Sequence, residues 1–491
     1  YAYLGVDADP VATQNYYEKR LSKEGTYIDG AENLLISLKD KYRLYAVSNG
    51  TEIVQDGRVN MAYLACAVSS HINGVAALHT ELLKHGLFRD FNDRMVHVEL
   101  NYDFVPDIEA LKTVIICAFE KVPVLHSKFV DKKISTHWEV MPYDIDEVLT
   151  VSEPENLEEA VEDFLTQYIP PESHIQMKFA LFIKDGKSTL CMIENHMCMD
   201  GGDLKYFLQA FCENYTAFVD QGISPVKFRT GSRSYDDVYS GFSKTEAGVA
   251  QRLFKNINAR DDHKFPLTPN NIRDKSFIAR KKFSEETLAA LKSKGKELGA
   301  TINELILASY FYSVYELADY NLKDKVMISN AIDLRRHMDS VDDKGFTNHT
   351  SWMQCAIPER GRDIFETVKY VVNSSNRFKK DKFMGLYGLP LLNFGYNILP
   401  HAASEEIIKI GYSNPLMAMS NIGILKGEHF ALDGKEPVDA FMSGAVKYKP
   451  FVLLTVTTYK NIITLSMCVR GNDEDKKTVD KFFSLMEKNI N

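Results

Sequence analysis

Between residues 189 and 218 the hydrophobic period of the chain changes within a few residues, and that change limits what it can fold into. Residues 189–193 form a β-prone apolar run. Beyond it, Leu204, Phe207, Leu208, Phe211, Tyr215 and Phe218 recur at spacings of three and four, which places them on one stripe of a helix. A strand that feeds straight into an amphipathic helix needs a neighbouring layer to bury that stripe. The joining segment is His196-Met197-Cys198-Met199-Asp200-Gly201. It sits at the carboxyl end of a strand, where rigid neighbours can hold polar side chains facing a cleft. Asp203 reads as the N-cap of the helix.

A histidine in that position suits general-base work, because its imidazole takes a proton near neutral pH. The aspartate four residues on could orient the loop or bind a cation. Gly201 would allow a tight turn without Cβ strain. The spacing alone is weak evidence. With 13 histidines in the chain, about one His-x-x-x-Asp match is expected by chance. A second copy does occur, from His429 to Gly434. It runs into Gly434-Lys435-Glu436-Pro437, a turn with no helix behind it, and reads as part of a hairpin. Context therefore selects His196.

The 491 residues suggest roughly three folding units. From about residue 88 the elements follow a consistent order. Val96, Val98 and Leu100 alternate with polar residues as in a strand. Residues 108–119 have helical spacing. Residues 147–163 are acidic and read as a solvated helix or linker. Residues 177–183 and 189–193 pair around Asp185-Gly186. The later part of 229–273 reads as a crossover. Ser284 caps a helix over 285–298, and Thr301-Ile302-Asn303-Glu304 is a capping box for a core helix carrying Leu305, Ile306, Ala308, Tyr310, Phe311 and Val314. Residues 451–459 and 462–468 read as a late hairpin. Val479, Phe482, Phe483 and Met486 give the closing segment 477–488 an apolar face.

Composition excludes several classes. Fifty-eight Lys and Arg against 67 Asp and Glu give a net charge of −9, which argues against a nucleic-acid partner. The longest apolar runs, such as 451–456, are too short to span a bilayer, and no secretory pattern opens the chain. The first residue is Tyr1 rather than Met, so an upstream start is expected. Seven cysteines, an odd number with no Cys-x-x-Cys pair, argue against a disulfide framework or a thiolate zinc site and favour a reducing, cytoplasmic setting. No metal site is expected, and no phosphate loop, zinc helix or dinucleotide turn occurs.

The first 94 residues have a different character. A helix over 31–39 and a short strand over 42–47 end at Ser48-Asn49-Gly50. Residues 1–58 resemble a fragment of a haloacid-dehalogenase-type hydrolase, which would give Ser48 a phosphoryl contact. That family's nucleophilic strand belongs upstream, where Tyr1 leaves no room, so phosphatase activity is not expected. Residues 59–94, with the run from Asn73 to Leu83, resemble a piece of a glycogen or α-glucan phosphorylase. His79 matches a histidine near the sugar, but the lysine that carries pyridoxal phosphate and its domain are missing. The expectation is a chimeric N-terminus: a fragment over 1–58 and a phosphorylase-like helical fragment over 59–87, neither active as a phosphatase or phosphorylase.

From about 88 to 491 the chain resembles the condensation-domain and alcohol-acetyltransferase branch of the chloramphenicol-acetyltransferase-like, CoA-dependent acyltransferase superfamily. The residues that carry the likeness are the His196 motif in its strand–loop–helix setting and Gly299-Ala300-Thr301-Ile302-Asn303-Glu304-Leu305. They continue with Asp333-Leu334-Arg335, Asn348 and the closing strand–strand–helix. The resemblance implies an α/β (α+β) fold of two lobes, 88–265 and 266–491, with a tunnel between them that meets at His196. An acyl thioester on coenzyme A, or on the phosphopantetheine of an acyl carrier protein, would enter as co-substrate, with no permanently bound cofactor. A small-molecule alcohol or amine would be the acceptor. His196 would take the acceptor's proton, with no acyl-enzyme, so Cys198 is not a nucleophile. Asp200 would be structural and paired with Arg335, with Arg336 as the fallback. Gly201 matches the family glycine, and Asn348 has a supporting place. Ser420 and Asn421 would be polar tunnel residues able to stabilise the oxyanion. Peptide-forming condensation domains usually carry two adjacent histidines, whereas Asn195 precedes His196 here. No carrier, adenylation or thioesterase segment is evident. A stand-alone acyltransferase is therefore expected, with a non-catalytic binding or scaffold protein as the alternative.

Overall fold

Two tight hairpin reversals and a set of capped helices fix most of the local structure. In the computed structural model the described residues are 95–131, 136–170, 173–223, 228–253, 261–390 and 415–490. The chain divides into two units, Tyr1–Gly74 and Val75–Asn491, and all described residues lie in the second. The hydrolase-like and phosphorylase-like pieces, with Ser48 and His79, lie outside the described residues.

The first half supplies β1 (Met95–Tyr102), α1 (Ile108–Lys121), β2 (Ser127–Asp131), β3 (Thr136–Val140), α2 (Ile145–Val148), β4 (Leu149–Ser152), α3 (Leu157–Leu165), β5 (Met177–Lys184), β6 (Lys187–Asn195), α4 (Gly201–Gln221) and α5 (Lys244–Ala250). The second supplies β7 (Lys275–Phe283), α6 (Glu285–Leu298), α7 (Ile302–Ala318), β8 (Val326–Asp333), β9 (Thr350–Ile357), α8 (Ile364–Lys379), β10 (Met417–Leu425), β11 (Asp439–Ser443), β12 (Lys447–Tyr448), β13 (Val452–Tyr459), β14 (Ile462–Gly471) and α9 (Asp473–Ile490).

One sheet has the order β11-β1-β6-β5-β4. Its central hairpin β5–β6 turns at Asp185 and Gly186, both at positive φ (53° and 71°), as a tight two-residue hairpin requires. On one face the α4 side chains Leu204, Phe207, Leu208, Phe211 and Tyr215 share a core with Leu111, Val114, Ile115 and Phe119 of α1. Each such buried side chain contributes about 1.5–3 kcal/mol. The acidic stretch 147–163 is not a linker. Its apolar residues Val148, Leu149 and Val161 are buried, and β4 within it forms the sheet edge, parallel to β5.

The second sheet has the order β12-β14-β13-β10-β8-β9, with β7 also pairing β14. The hairpin expected between 459 and 462 forms as β13–β14, turning at Lys460 and Asn461, both at positive φ. The Thr301 capping box is present at α7, and Ser284 caps α6. Tyr310 of α7 meets Phe482 of α9 edge-on at 5.1 Å, inside the second core.

The halves are interleaved. β11 leaves the second half and pairs antiparallel with β1, with His97 opposite Ser443. Arg280 of β7 reaches Glu99 of β1 at 2.6 Å and stacks over Phe441 of β11. His97 is fully buried in this seam. Burial, helped by the Arg280 charge and opposed by a backbone contact from Gly444, pushes its pKa down to about 3.

Candidate active site

The loop after β6 is fixed at both ends before any partner is considered. Asp200 has extended backbone (φ −97°, ψ 174°), and its Oδ1 accepts from the N–H groups of Gly202 and Asp203, both at 3.0 Å. Asp200, not Asp203, is therefore the N-cap of α4. Two aspartates near the helix start compete for that place, and the one with extended backbone takes it. Before the histidine, Glu194 Oε1 accepts from Met199 N–H at 3.0 Å. Burial raises the Glu194 carboxyl well above its usual range. Burial likewise raises the Cys198 thiol, which keeps its sulfur protonated.

The loop is then joined to the second half by a set of buried polar contacts. Arg335 Nη2 donates to both Asp200 oxygens, at 2.9 and 3.0 Å. The same group lies 2.9 Å from Asp203 Oδ2, and Nη1 pairs with Asp333 at 2.9 Å. The side chains of Arg335 and Asp200 are 7% and 1% exposed, so this is a buried pair rather than a surface one. Burial alone would raise the Asp200 carboxyl. Arg335 and the Asp203 N–H outweigh it and hold the group below the carboxylate range. Burial also opposes the Arg335 charge, and Asp200, Asp203 and Asp333 together hold it protonated. Arg336, the fallback, is exposed.

The segment leading into β9 lies along the loop. Asp200 N–H donates to Thr347 O at 3.3 Å, and Thr347 N–H donates to Asp203 Oδ2 at 2.8 Å. His349 N–H and Thr350 Oγ1 donate to Asp200 Oδ2 at 2.7 and 3.2 Å. Between them, Asn348 Nδ2 lies 2.9 Å from His196 Nδ1 and 3.3 Å from the His196 carbonyl. The structure thus brings His196, Asp200, Arg335 and Asn348 together. His196 is half-buried.

The remaining expected residues fall as follows. Gly201 lies at the start of α4, where an added Cβ would meet only Ile422 Cγ1 at 4.0 Å. The tight-turn reason therefore does not hold for Gly201. The crowded glycine is Gly202, whose Cβ would sit 3.1 Å from both Arg335 Nη1 and Asp200 Oδ1. Ser420 and Asn421 lie in β10, just before Ile422, whose carbonyl accepts from Lys205 Nζ of α4 at 2.7 Å. Asn421 is exposed. Its amide is engaged by Asn303 and by Gly423 N–H, which leaves it a poor oxyanion donor. The second His-x-x-x-Asp copy closes a small turn, with a Leu432–Lys435 bridge and Asp433 and Gly434 at positive φ.

Sequence reasoning gave Asp203 only a capping place and did not single out Arg229. The two are ion-paired, and Arg229 stacks over Phe346 at 4.7 Å. One signal was available: Asp203 stands four residues before Phe207 on the apolar stripe, where a carboxylate needs a buried partner.

No curated protein matches the sequence. A carbohydrate phosphorylase family model matches residues 31–160. That stretch extends past the phosphorylase-like piece into β1–β4, and it covers a minority of the chain. Among solved structures, polyketide synthase associated protein 5 from Mycobacterium tuberculosis aligns with TM-score 0.57 and 16% identity, over 81% of this chain and 93% of its own. The first condensation domain of the calcium-dependent antibiotic synthetase aligns with TM-score 0.58 and 13% identity, over 84% and 95%. A trichothecene 15-O-acetyltransferase from Fusarium sporotrichioides aligns with TM-score 0.59 and 11% identity, over 81% and 91%. The fold is the one shared by condensation domains and these acetyltransferases.

Proposed function

We propose that the chain is a cytoplasmic acyltransferase. It moves an acyl group from a thioester, on coenzyme A or on a carrier protein, to a hydroxyl or amine of a small acceptor. The observation that carries this reading is the placement of His196. It stands on a loop held across the two halves by the buried Asp200–Arg335 pair. A half-buried histidine held this firmly is suited to proton transfer, because catalysis needs the base fixed relative to the reacting atoms. In the proposed step the acceptor's oxygen or nitrogen attacks the thioester carbonyl as His196 takes its proton. The C–S bond then breaks, and the proton passes to the leaving thiolate. Asp200, Arg335 and Gly202 position the loop, and Ser420 is the remaining candidate for the oxyanion. The protonated Cys198 thiol fits direct transfer without an acyl-enzyme. The reading assigns no permanently bound cofactor and no phosphatase or phosphorylase role to the N-terminal pieces, which are taken as a chimeric addition.

Acetyl transfer to oxygen and condensation both appear among the structural neighbours, and the absence of a second histidine at Asn195 favours the former. No helix among the described residues is long and apolar enough to cross a membrane. A second reading, a non-catalytic pair of lobes that binds a carrier protein, is favoured by one contact: the amide nitrogen of Asn348 on His196 Nδ1. The experiment is acceptor-dependent release of free thiol from a panel of acyl thioesters. Release that depends on both acceptor and His196 supports transfer, and a carrier protein that binds without turnover supports the second reading.

A further inference from the structure

The hydrogen bonds of the Asn348 amide fix the role of His196 Nδ1. Asn348 Oδ1 accepts from Thr350 N–H at 3.0 Å, and Asn348 Nδ2 lies 3.3 Å from the His196 carbonyl oxygen. An amide nitrogen only donates, and an amide oxygen only accepts. These two backbone groups therefore fix the amide. Reversing it would set N–H against N–H at Thr350 and oxygen against oxygen at His196. With the orientation fixed, Nδ2 is the group 2.9 Å from His196 Nδ1, and Nδ1 must be the acceptor. A neutral imidazole whose Nδ1 accepts carries its proton on Nε2. Such a ring cannot take a second proton at Nε2, and its open lone pair is covered by Asn348.

We infer that Asn348 is a positioning residue that holds resting His196 in the Nε2–H tautomer, so that proton abstraction at Nε2 begins only after the Asn348 amide leaves Nδ1. The functional half of this statement rests on the acyl-transfer reading; the tautomer rests on the hydrogen bonds alone. After the amide leaves, the Nε2 proton passes to solvent water and Nδ1 takes one from it, which frees the Nε2 lone pair. That lone pair takes the acceptor's proton as the acceptor–carbonyl bond forms. The C–S bond breaks, and the same proton goes to the departing thiolate, so enzyme and substrate protons balance with water as the carrier of the tautomer shift. The clamp contributes directly, because Asp200 fixes His349 and Thr350 on either side of the Asn348 backbone. Asn348 thus leaves by side-chain rotation rather than by backbone movement.

The test uses full-length protein labelled with 15N-histidine at about pH 8, where an unperturbed imidazole is neutral. The His196 signals are identified by their loss in His196→Gln. Wild type should show an unprotonated Nδ1 and a protonated Nε2. Asn348→Asp keeps an acceptor for Thr350 N–H, gives up the donor that faces the His196 carbonyl and offers an acceptor to Nδ1–H, so it should invert the pattern. Asn348→Ala, which removes the amide with little added strain, should give a mixture of both tautomers. A wild-type Nδ1–H signal, or one tautomer common to wild type and Asn348→Asp, overturns the inference. In the kinetic arm, kcat of Asn348→Asp should rise about fivefold with KM unchanged, the equivalent of one ordinary hydrogen bond. A lower kcat in a variant that melts like wild type would overturn the latch. If neither protein transfers acyl groups to any acceptor, the acyl-transfer reading fails, and the spectra still decide the tautomer.

Discussion

At the scale of single residues, the site depends on two features that a motif does not contain. The first is Gly202. Its Cβ would press on both members of a buried ion pair, and a buried pair has little room to yield. Gly202→Ala should lower stability by about 1–3 kcal/mol, measured by urea denaturation. Gly201→Ala, with only Ile422 at 4.0 Å, should leave stability unchanged or raise it slightly, since alanine is the better helix former. Equal losses at the two positions would contradict this account. The second feature is the charge on Asp200. Its folded-state pKa is lowered, so its stabilising effect is complete above the unfolded carboxylate value of about 3.9. That effect is lost as pH falls through the lower folded value. The stability gap between wild type and Asp200→Asn should therefore be constant from pH 7 to about 4.5 and shrink only below that. A gap that closes between pH 7 and 5 would show that another group holds the loop. The pairing itself entered through the resemblance. Nothing local in the sequence links Asp200 to a residue 135 positions away, and the same is true of Thr347, Thr350 and Arg229.

At the scale of elements, what was legible followed from local periods and caps. The α4 stripe, the hairpin at Asp185-Gly186 and the Thr301 capping box each depend on residues within a few positions of one another, and each forms as read. The start of α4 was misplaced by three residues because both Asp200 and Asp203 are good caps and only the backbone conformation separates them. The acidic stretch 147–163 was half read: α3 forms with Glu158, Glu159 and Asp163 exposed, but charge hid the few apolar residues that carry β4 into the sheet. The crossing of β11 to pair with β1 had no local signature at all, since strand pairing between distant segments depends on the assembled sheet. That crossing creates the buried seam at His97, and with it a pH response. His97 stays neutral in the folded chain down to about pH 3, while the unfolded histidine protonates near 6.5. Its stabilising effect is therefore full above pH 6.5 and declines steadily below it, by up to about 1.4 kcal/mol per pH unit. Denaturation at pH 7, 6 and 5 should show this slope in wild type and a smaller one in His97→Gln. Parallel slopes would mean that His97 is protonated or solvated in the native state.

At the scale of the whole molecule, the rough count of three units was less informative than the order of elements from β1 onward. The two large sheets are assembled from residues after 94, and β11 and β7 bind them to each other, so acyl transfer should not need the N-terminal pieces. Deleting residues 1–87 should leave thioester turnover within about twofold of the full chain, a change too small for the loss of a catalytic group. A loss of all turnover with the fold intact would give those residues a part in the reaction. The central claim is that His196 transfers a proton during acyl transfer, and the most direct measurement is mass-spectrometric yield of acylated acceptor from wild type and His196→Ala under matched conditions. The account predicts that the variant folds and melts like wild type while product formation falls by about 10² to 10⁴; equal yields of acylated acceptor from the two proteins would contradict it.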